Sequence, residues 1–288
     1  MTLPGALLLP LLSALVAPAH AAPVELHTSH QLGVALFPEG VQYVFEAEAR
    51  LPLWKSDHFL LADGHIALAG HAEITPSFPR VGPVLRIAPV AFWDATFRAY
   101  GTWYIGAFSS ILPFDDPAFE ATKANKRELV ADGVRTGGWG LRLDAETRLK
   151  GRAGPVIVVL ELQWRHHHVE AYDRDLEWFW DPSEMLNVSA DGDVINRNGY
   201  LFFELIKPVK PAEGVPANDR KLWIGALGMW QSSPQSGDRN IRLGPVLFWK
   251  PANGPTVPTM IVGSQVWLDS NFTPVFPPYT FVAANWAR

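Results

Sequence analysis

The 288-residue chain has no cysteine, which excludes disulfides, thiolate metal sites, a cysteine nucleophile and a lipidated N-terminal cysteine. Charge is sparse, at 18% of residues, and the net value of −5 gives no support for nucleic-acid binding, which would want a basic stripe. After residue 22, charged residues interrupt every apolar run before it reaches the roughly 18 residues of a spanning helix. Also missing are a Gly-x-Ser-x-Gly elbow, a phosphate-binding loop, a zinc-protease helix and a dinucleotide fingerprint, so nothing calls for a cofactor. What the chain does have is 25 prolines, 23 glycines and 12 tryptophans, a composition of many turns joining aromatic-rich strands.

Residues 1–22 read as a signal peptide. An apolar stretch from Leu3 to Val16 precedes the small-x-small sequence Ala19-His20-Ala21. The stretch is short for a membrane span and holds two prolines, and there is no twin-arginine pair, so general secretion is the simpler route. Residues 23–288 then form one domain.

In that domain apolar and polar residues exchange places with period two, the mark of strands with two unlike faces. From Val41 to Leu51, Glu46, Glu48 and Arg50 oppose Tyr43, Phe45, Ala47 and Leu51. The segment Asp94–Tyr104 sets Thr96, Arg98, Tyr100 and Thr102 against Phe97 and Trp103. Likewise Arg142, Asp144, Glu146 and Arg148 oppose Leu141, Leu143 and Leu149, and His65, His71 and Glu73 oppose Ile66, Leu68 and Ile74. In a soluble sandwich the apolar faces form the core. In a transmembrane barrel they meet lipid and the charged faces line the lumen. Segment length favours the barrel, since crossing lipid takes about 9–11 tilted residues.

About twelve segments can be counted: 24–36, 41–54, 59–75, 84–92, 95–108, 137–149, 155–169, 198–207, 220–232, 241–250, 257–270 and 278–287. The fold expected is all-β, a transmembrane antiparallel up-and-down β-barrel of about 12 strands, with ten the alternative count because the eighth and ninth segments alternate less cleanly. With the N-terminus periplasmic, the two long gaps, 109–136 and 170–197, fall on the outer side, where long loops belong. Tyr43, Trp54, Trp93, Trp103, Tyr104, Trp139, Trp164, Trp249, Trp267, Tyr279 and Trp286 are candidates for interfacial girdles. Across residues 23–288 this pattern resembles the Gram-negative outer-membrane β-barrel proteins, which end in an alternating, aromatic-rich strand such as Tyr279–Trp286. The resemblance implies the outer membrane as location and its lipid as surroundings.

On this register Glu46, Glu48, Arg50, Glu73, Arg98, Arg142, Asp144, Glu146, Arg148, Glu161 and Arg165 line the lumen, joined by His65, His71, Arg86, Asp94 and Arg242. Interleaved charge suits a hydrated pore for small hydrophilic solutes or ions. It equally suits a filled interior in which acid–base pairs brace neighbouring strands. The loop after the fifth strand is acidic, and Asp115, Asp116 and Glu120 are candidates for a constriction. Asp116 as N-cap, Pro117 at the first helical position and Gly133 past the end predict a short helix there.

Three apparent sites are discounted. His166-His167-His168 on a strand would point to alternate faces and could not converge on one metal ion. Asp191, Asp193, Asn196 and Asn198 miss the spacing of a calcium loop. His27-Thr28-Ser29 has the His-x-Ser spacing of outer-membrane phospholipases, without that family's flanking residues. The leading expectation is a narrow passive channel with no catalytic residue and no metal. Its alternatives are a non-conducting structural or adhesive envelope barrel and an outer-membrane lipid hydrolase or acyltransferase.

Overall fold

A computed structural model describes residues 23–36, 39–54, 58, 60–61, 63–106, 111–207, 220–254, 256–270 and 278–287. The expected signal peptide lies outside the described residues, as does the 208–219 connection. The strands are β1 (Glu25–Leu36), β2 (Glu39–Pro52), β3 (His65–Ile74), β4 (Pro79–Val90), β5 (Trp93–Tyr104) and β6 (Leu112–Phe114). A helix, α1 (Lys123–Ala131), comes next, then β7 (Gly138–Ala153), β8 (Val156–Ala171), β9 (Trp178–Asp181) and β10 (Leu186–Ser189). The chain finishes with β11 (Asp191–Ile206), β12 (Lys221–Ser232), β13 (Arg239–Lys250), β14 (Thr259–Ser270) and β15 (Tyr279–Ala287).

Twelve strands, all but β6, β9 and β10, form a closed barrel in the order β1-β15-β14-β13-β12-β11-β8-β7-β5-β4-β3-β2. Every neighbouring pair is antiparallel, and β1 closes on β15 from Ser29↔Ala287 to Ala35↔Phe281. The start of β1 and the end of β15 therefore lie at one rim, the terminal end. The long connections, described over 105–106, 111–137 and 172–190, lie at the opposite rim, the loop end. Among the described residues no helix is long and apolar enough to cross a membrane.

The polarity of the wall decides between the two readings of the alternation. Leu68 is 62% exposed and Leu160 55%, and Leu141, Leu201, Phe203 and Val262 also point outwards. Glu48, Asp94, Arg142, Asp144 and Arg242 are buried inside. A sandwich in water would hide the leucines and expose the charges; this barrel does the reverse. The register sets the inner charges against opposite partners on adjacent strands: Glu46↔His71, Glu73↔Arg80, Asp94↔Arg148 and Asp144↔Arg165.

Each predicted segment corresponds to one barrel strand, with some differences of extent. β3 starts at His65, not 59, and β11 starts at Asp191, not 198. Residues Asp191–Asn198 carry polar groups on both faces, Asp191, Asp193 and Arg197 outside with Asn196 and Asn198 inside, so hydropathy shows no period there. Their strand geometry comes from pairing with β8, His168 to Glu161. Three aromatics expected in the girdles point into the lumen instead: Tyr104, Trp267 and Tyr279. Strand parity turns them inwards, where they cover the material in the loop-end mouth. Trp103, Trp139, Trp164 and Trp249 do face outwards.

Candidate functional site in the lumen

The two long loops fold together into the loop-end mouth. The first contributes β6 and α1, the second β9 and β10, and β6-β9-β10 form a small antiparallel sheet of their own. Because neighbouring residues on a strand point to opposite faces, this slab is apolar on both sides. Ile111, Phe179, Leu186 and Val188 pack on Tyr104, Val169 and Val194 of the β5, β8 and β11 wall. Leu112, Trp180 and Met185 pack on Trp267 and, with Phe119 and Leu129, approach Tyr279 across the barrel. The slab thus spans the mouth from one wall to the other. Burying each such side chain is worth about 1.5–3 kcal/mol.

Glu184, in the β9–β10 turn, is an acid that the slab sends into the lumen. It is buried and accepts from Arg142 Nη1 at 3.0 Å, from Arg165, and from Gln231 Nε2 at 3.5 Å. Arg142 also grips Asp144 through Nε at 2.7 Å and Nη2 at 2.9 Å. On the far wall Gln231 accepts from Arg242 Nη2 at 2.9 Å, and the Arg242 guanidinium lies 4.8 Å from the centre of the Trp267 ring. One polar chain therefore crosses the lumen from β7 to β14 through Glu184. The turn that aims it is strained: Met185 has φ 58°, an unfavourable left-handed conformation for a residue with a side chain. Packing of Met185 and a hydrogen bond from Asn240 Nδ2 to its carbonyl, at 2.6 Å, hold it there.

A second pin joins the loops to each other. Asn187, fully buried, donates from Nδ2 to the carbonyls of Phe119 at 2.5 Å and Pro117 at 3.3 Å, while its own N–H donates to Asp238 at 2.7 Å. α1 differs from its prediction. Its N-cap is Thr122, whose hydroxyl accepts from Asn125 N at 3.2 Å. Asp116 instead closes a separate turn, accepting from Ala118 N at 2.9 Å, and that turn brings Phe119 onto the Phe114 ring, with centroids 4.9 Å apart. Gly133 does follow the helix, at φ +72°.

All sixteen residues expected in the lumen are on the inner wall. Arg98 donates to Glu146 at 2.7 Å, Arg50 to Glu48 at 2.6 Å, and Asn198 to Glu161 at 2.6 Å. Arg86 is held by both Glu46 and Glu48, and Arg80 Nη1 lies 3.6 Å from Glu73. Asp115, Asp116 and Glu120 are exposed at the loop end, and the acid that reaches the lumen is Glu184, from the other loop. No sequence signal marked it, because a glutamate in a polar loop has no periodicity to place it.

Towards the terminal end the lumen has two unlike sides. Along β11–β15, Tyr200, Phe202, Trp223, Phe248, Ile261 and Phe281 fill the interior as an apolar cluster, with the Phe202 and Phe248 rings 5.1 Å apart. Along β1–β7 a cavity of about 620 Å³ remains, lined by charged side chains. His27 and Ser29 are on this lining, with His27 Nε2 3.3 Å from Glu25. The three adjacent histidines split as strand parity requires: His167 is inside, 2.9 Å from the Ser189 carbonyl, and His166 and His168 are outside beside Asp191. Asp191 and Asp193 face out and Asn196 and Asn198 face in, so those four do not form one site.

No protein-family model and no curated protein sequence matches the chain. Solved structures do. The β domain of the Bordetella autotransporter BrkA is 12% identical, with 92% of this chain and 99% of that one covered, at a TM-score of 0.41. The translocator domain of autotransporter NalP from Neisseria meningitidis is 9% identical over 97% and 91%, at 0.34. OmpT, an outer membrane protein of Vibrio cholerae, is 8% identical over 93% and 100%, at 0.33. The chain has the pattern of an outer-membrane β-barrel. That pattern is carried by its own geometry: a closed barrel, apolar outside and charged within.

Proposed function

We propose that the protein is exported through its N-terminal segment, spans the bacterial outer membrane with its termini on the periplasmic side, and serves as a passive channel for small hydrophilic solutes that its own loops hold shut. The apolar outer wall supports the membrane setting, since water would not tolerate it. The charged wall along β2–β8 supports polar solutes. One observation carries the closed state: Glu184 is seated between Arg142 and Arg165 beneath a slab that reaches both walls. Passage then requires the slab to leave the mouth, and the reading assigns no reaction to the chain.

Planar-bilayer recording of protein shown to be folded by heat-modifiable gel migration tests this. Wild type should be silent for most of the record. A variant with residues 176–188 replaced by a short glycine–serine turn should give discrete, stable steps, and Glu184→Ala should give brief ones. If the loop-replaced barrel folds, inserts and stays silent, the channel reading fails. A non-conducting envelope barrel, acting through its loops, then takes its place.

A further inference from the structure

The ion pairs around the terminal-end cavity are arranged unevenly, and the unevenness has a sign. Four cations, Arg50, Arg86, Arg148 and Lys150, and three carboxylates, Glu46, Glu48 and Asp94, line it. The carboxylates lie deep, their side chains 4–13% exposed, and the cations lie over them at 23–43%. Arg152 and Glu204, at the same rim on β7 and β11, repeat the arrangement at 45% and 4%. A solute entering from the terminal end therefore meets mainly guanidinium and ammonium groups, with Glu25, 52% exposed beside His27, the outer carboxylate at this rim.

We propose that this cavity is a binding site for small multivalent anions, such as organic polycarboxylates or polyphosphates. The paired cations are already positioned, so an anion need not organise them, and a guanidinium has five N–H donors and an ammonium three, more than one carboxylate takes up. The deep carboxylates keep the cations from repelling one another while being less exposed to the solute than the cations are. The apolar cluster on β11–β15 confines the anion to the charged side of the lumen. The proposal rests on the channel reading and deepens it, because it names the solute class that such a barrel would admit.

Its test is a binding measurement, so it stands or falls whether or not the barrel conducts. The full folded chain in zwitterionic detergent at low salt is titrated with sodium tripolyphosphate by isothermal calorimetry. Wild type should show saturable binding. The double variant Arg50→Gln/Lys150→Gln should weaken it about tenfold, equivalent to about 1.4 kcal/mol. Lys150→Gln alone leaves Asp94 paired with Arg148, so it should fold and show a smaller loss in the same direction. Equal affinity in wild type and Lys150→Gln would overturn the proposal, as would tighter binding of tetraethylammonium than of tripolyphosphate. Competition by phosphatidylglycerol doped into the micelle would also overturn it, by placing these cations at the lipid surface.

Discussion

Nη1 of Arg142 donates to Oε1 of Glu184 across 3.0 Å, tying a barrel strand to a loop residue 42 positions further along the chain. Both groups are buried, and Glu184 is shared with Arg165. Removing one partner of a buried pair leaves an uncompensated charge and costs about 3–5 kcal/mol. Glu184→Ala should therefore loosen the slab while the barrel stays closed. Hydrogen exchange should accelerate at Leu112, Phe179 and Leu186 and stay slow in β2–β5. Unchanged exchange in the slab would show that apolar packing alone holds it.

Docking of the first loop should strengthen as pH rises. Burial, with the Lys123 charge close by, lowers the Lys126 amine from 10.5 to about 7. Below pH 7 the docked and undocked forms are both protonated, and docking carries the full cost of burying the charge. Between pH 7 and 10.5 the docked amine loses its proton while the undocked one keeps it, so the cost fades. The Trp180 ring, 4.2 Å from Nζ, favours the charged form by up to about 2 kcal/mol and makes the slope shallower. Protease cleavage of the 115–135 segment, followed from pH 6 to 10, should slow with rising pH in wild type. In Lys126→Met it should be nearly flat.

Asn187→Ala tests the pin between the loops. The substitution leaves the partly buried Phe119 and Pro117 carbonyls without their donor but keeps the backbone bond to Asp238. A cost of about 1–3 kcal/mol follows. It should appear as faster proteolysis around Pro117–Glu120, with the β12–β13 turn unaffected. Equal cleavage in both proteins would mean that the two loops move independently.

Leu68→Arg tests the lipid-facing wall. Leu68 is outward near the middle of β3, and arginine at mid-membrane depth on a barrel costs about 2–4 kcal/mol. Urea titration of folding into phospholipid vesicles should show that loss. In a barrel surrounded by water the same substitution would cost nothing, so a neutral result would remove the membrane reading.

How far the sequence reaches differs from strand to loop. Val41–Leu51 and Leu141–Lys150 alternate cleanly, because a strand with lipid on one side and lumen on the other must place unlike residues on successive positions. That rule places Glu46, Glu48 and Arg50 on one face of their strand and Arg142, Asp144, Glu146 and Arg148 on one face of theirs, and the closed barrel makes those faces the inner ones. It fails for Asp191–Asn198, where the wall carries polar groups on both sides.

The sequence by itself determined about twelve alternating segments and which of their charged side chains share a face, since both follow from a local period of two. Only the tertiary structure decided what those charges face. Glu184 becomes a buried bridge because a slab from two loops brings it between Arg142 and Arg165, and Tyr104, Trp267 and Tyr279 become plug contacts rather than girdle residues. The physical reason is separation along the chain. Strand alternation is set by adjacent residues, whereas the contacts of a loop are set by walls that come from other strands and meet it only once the barrel has closed.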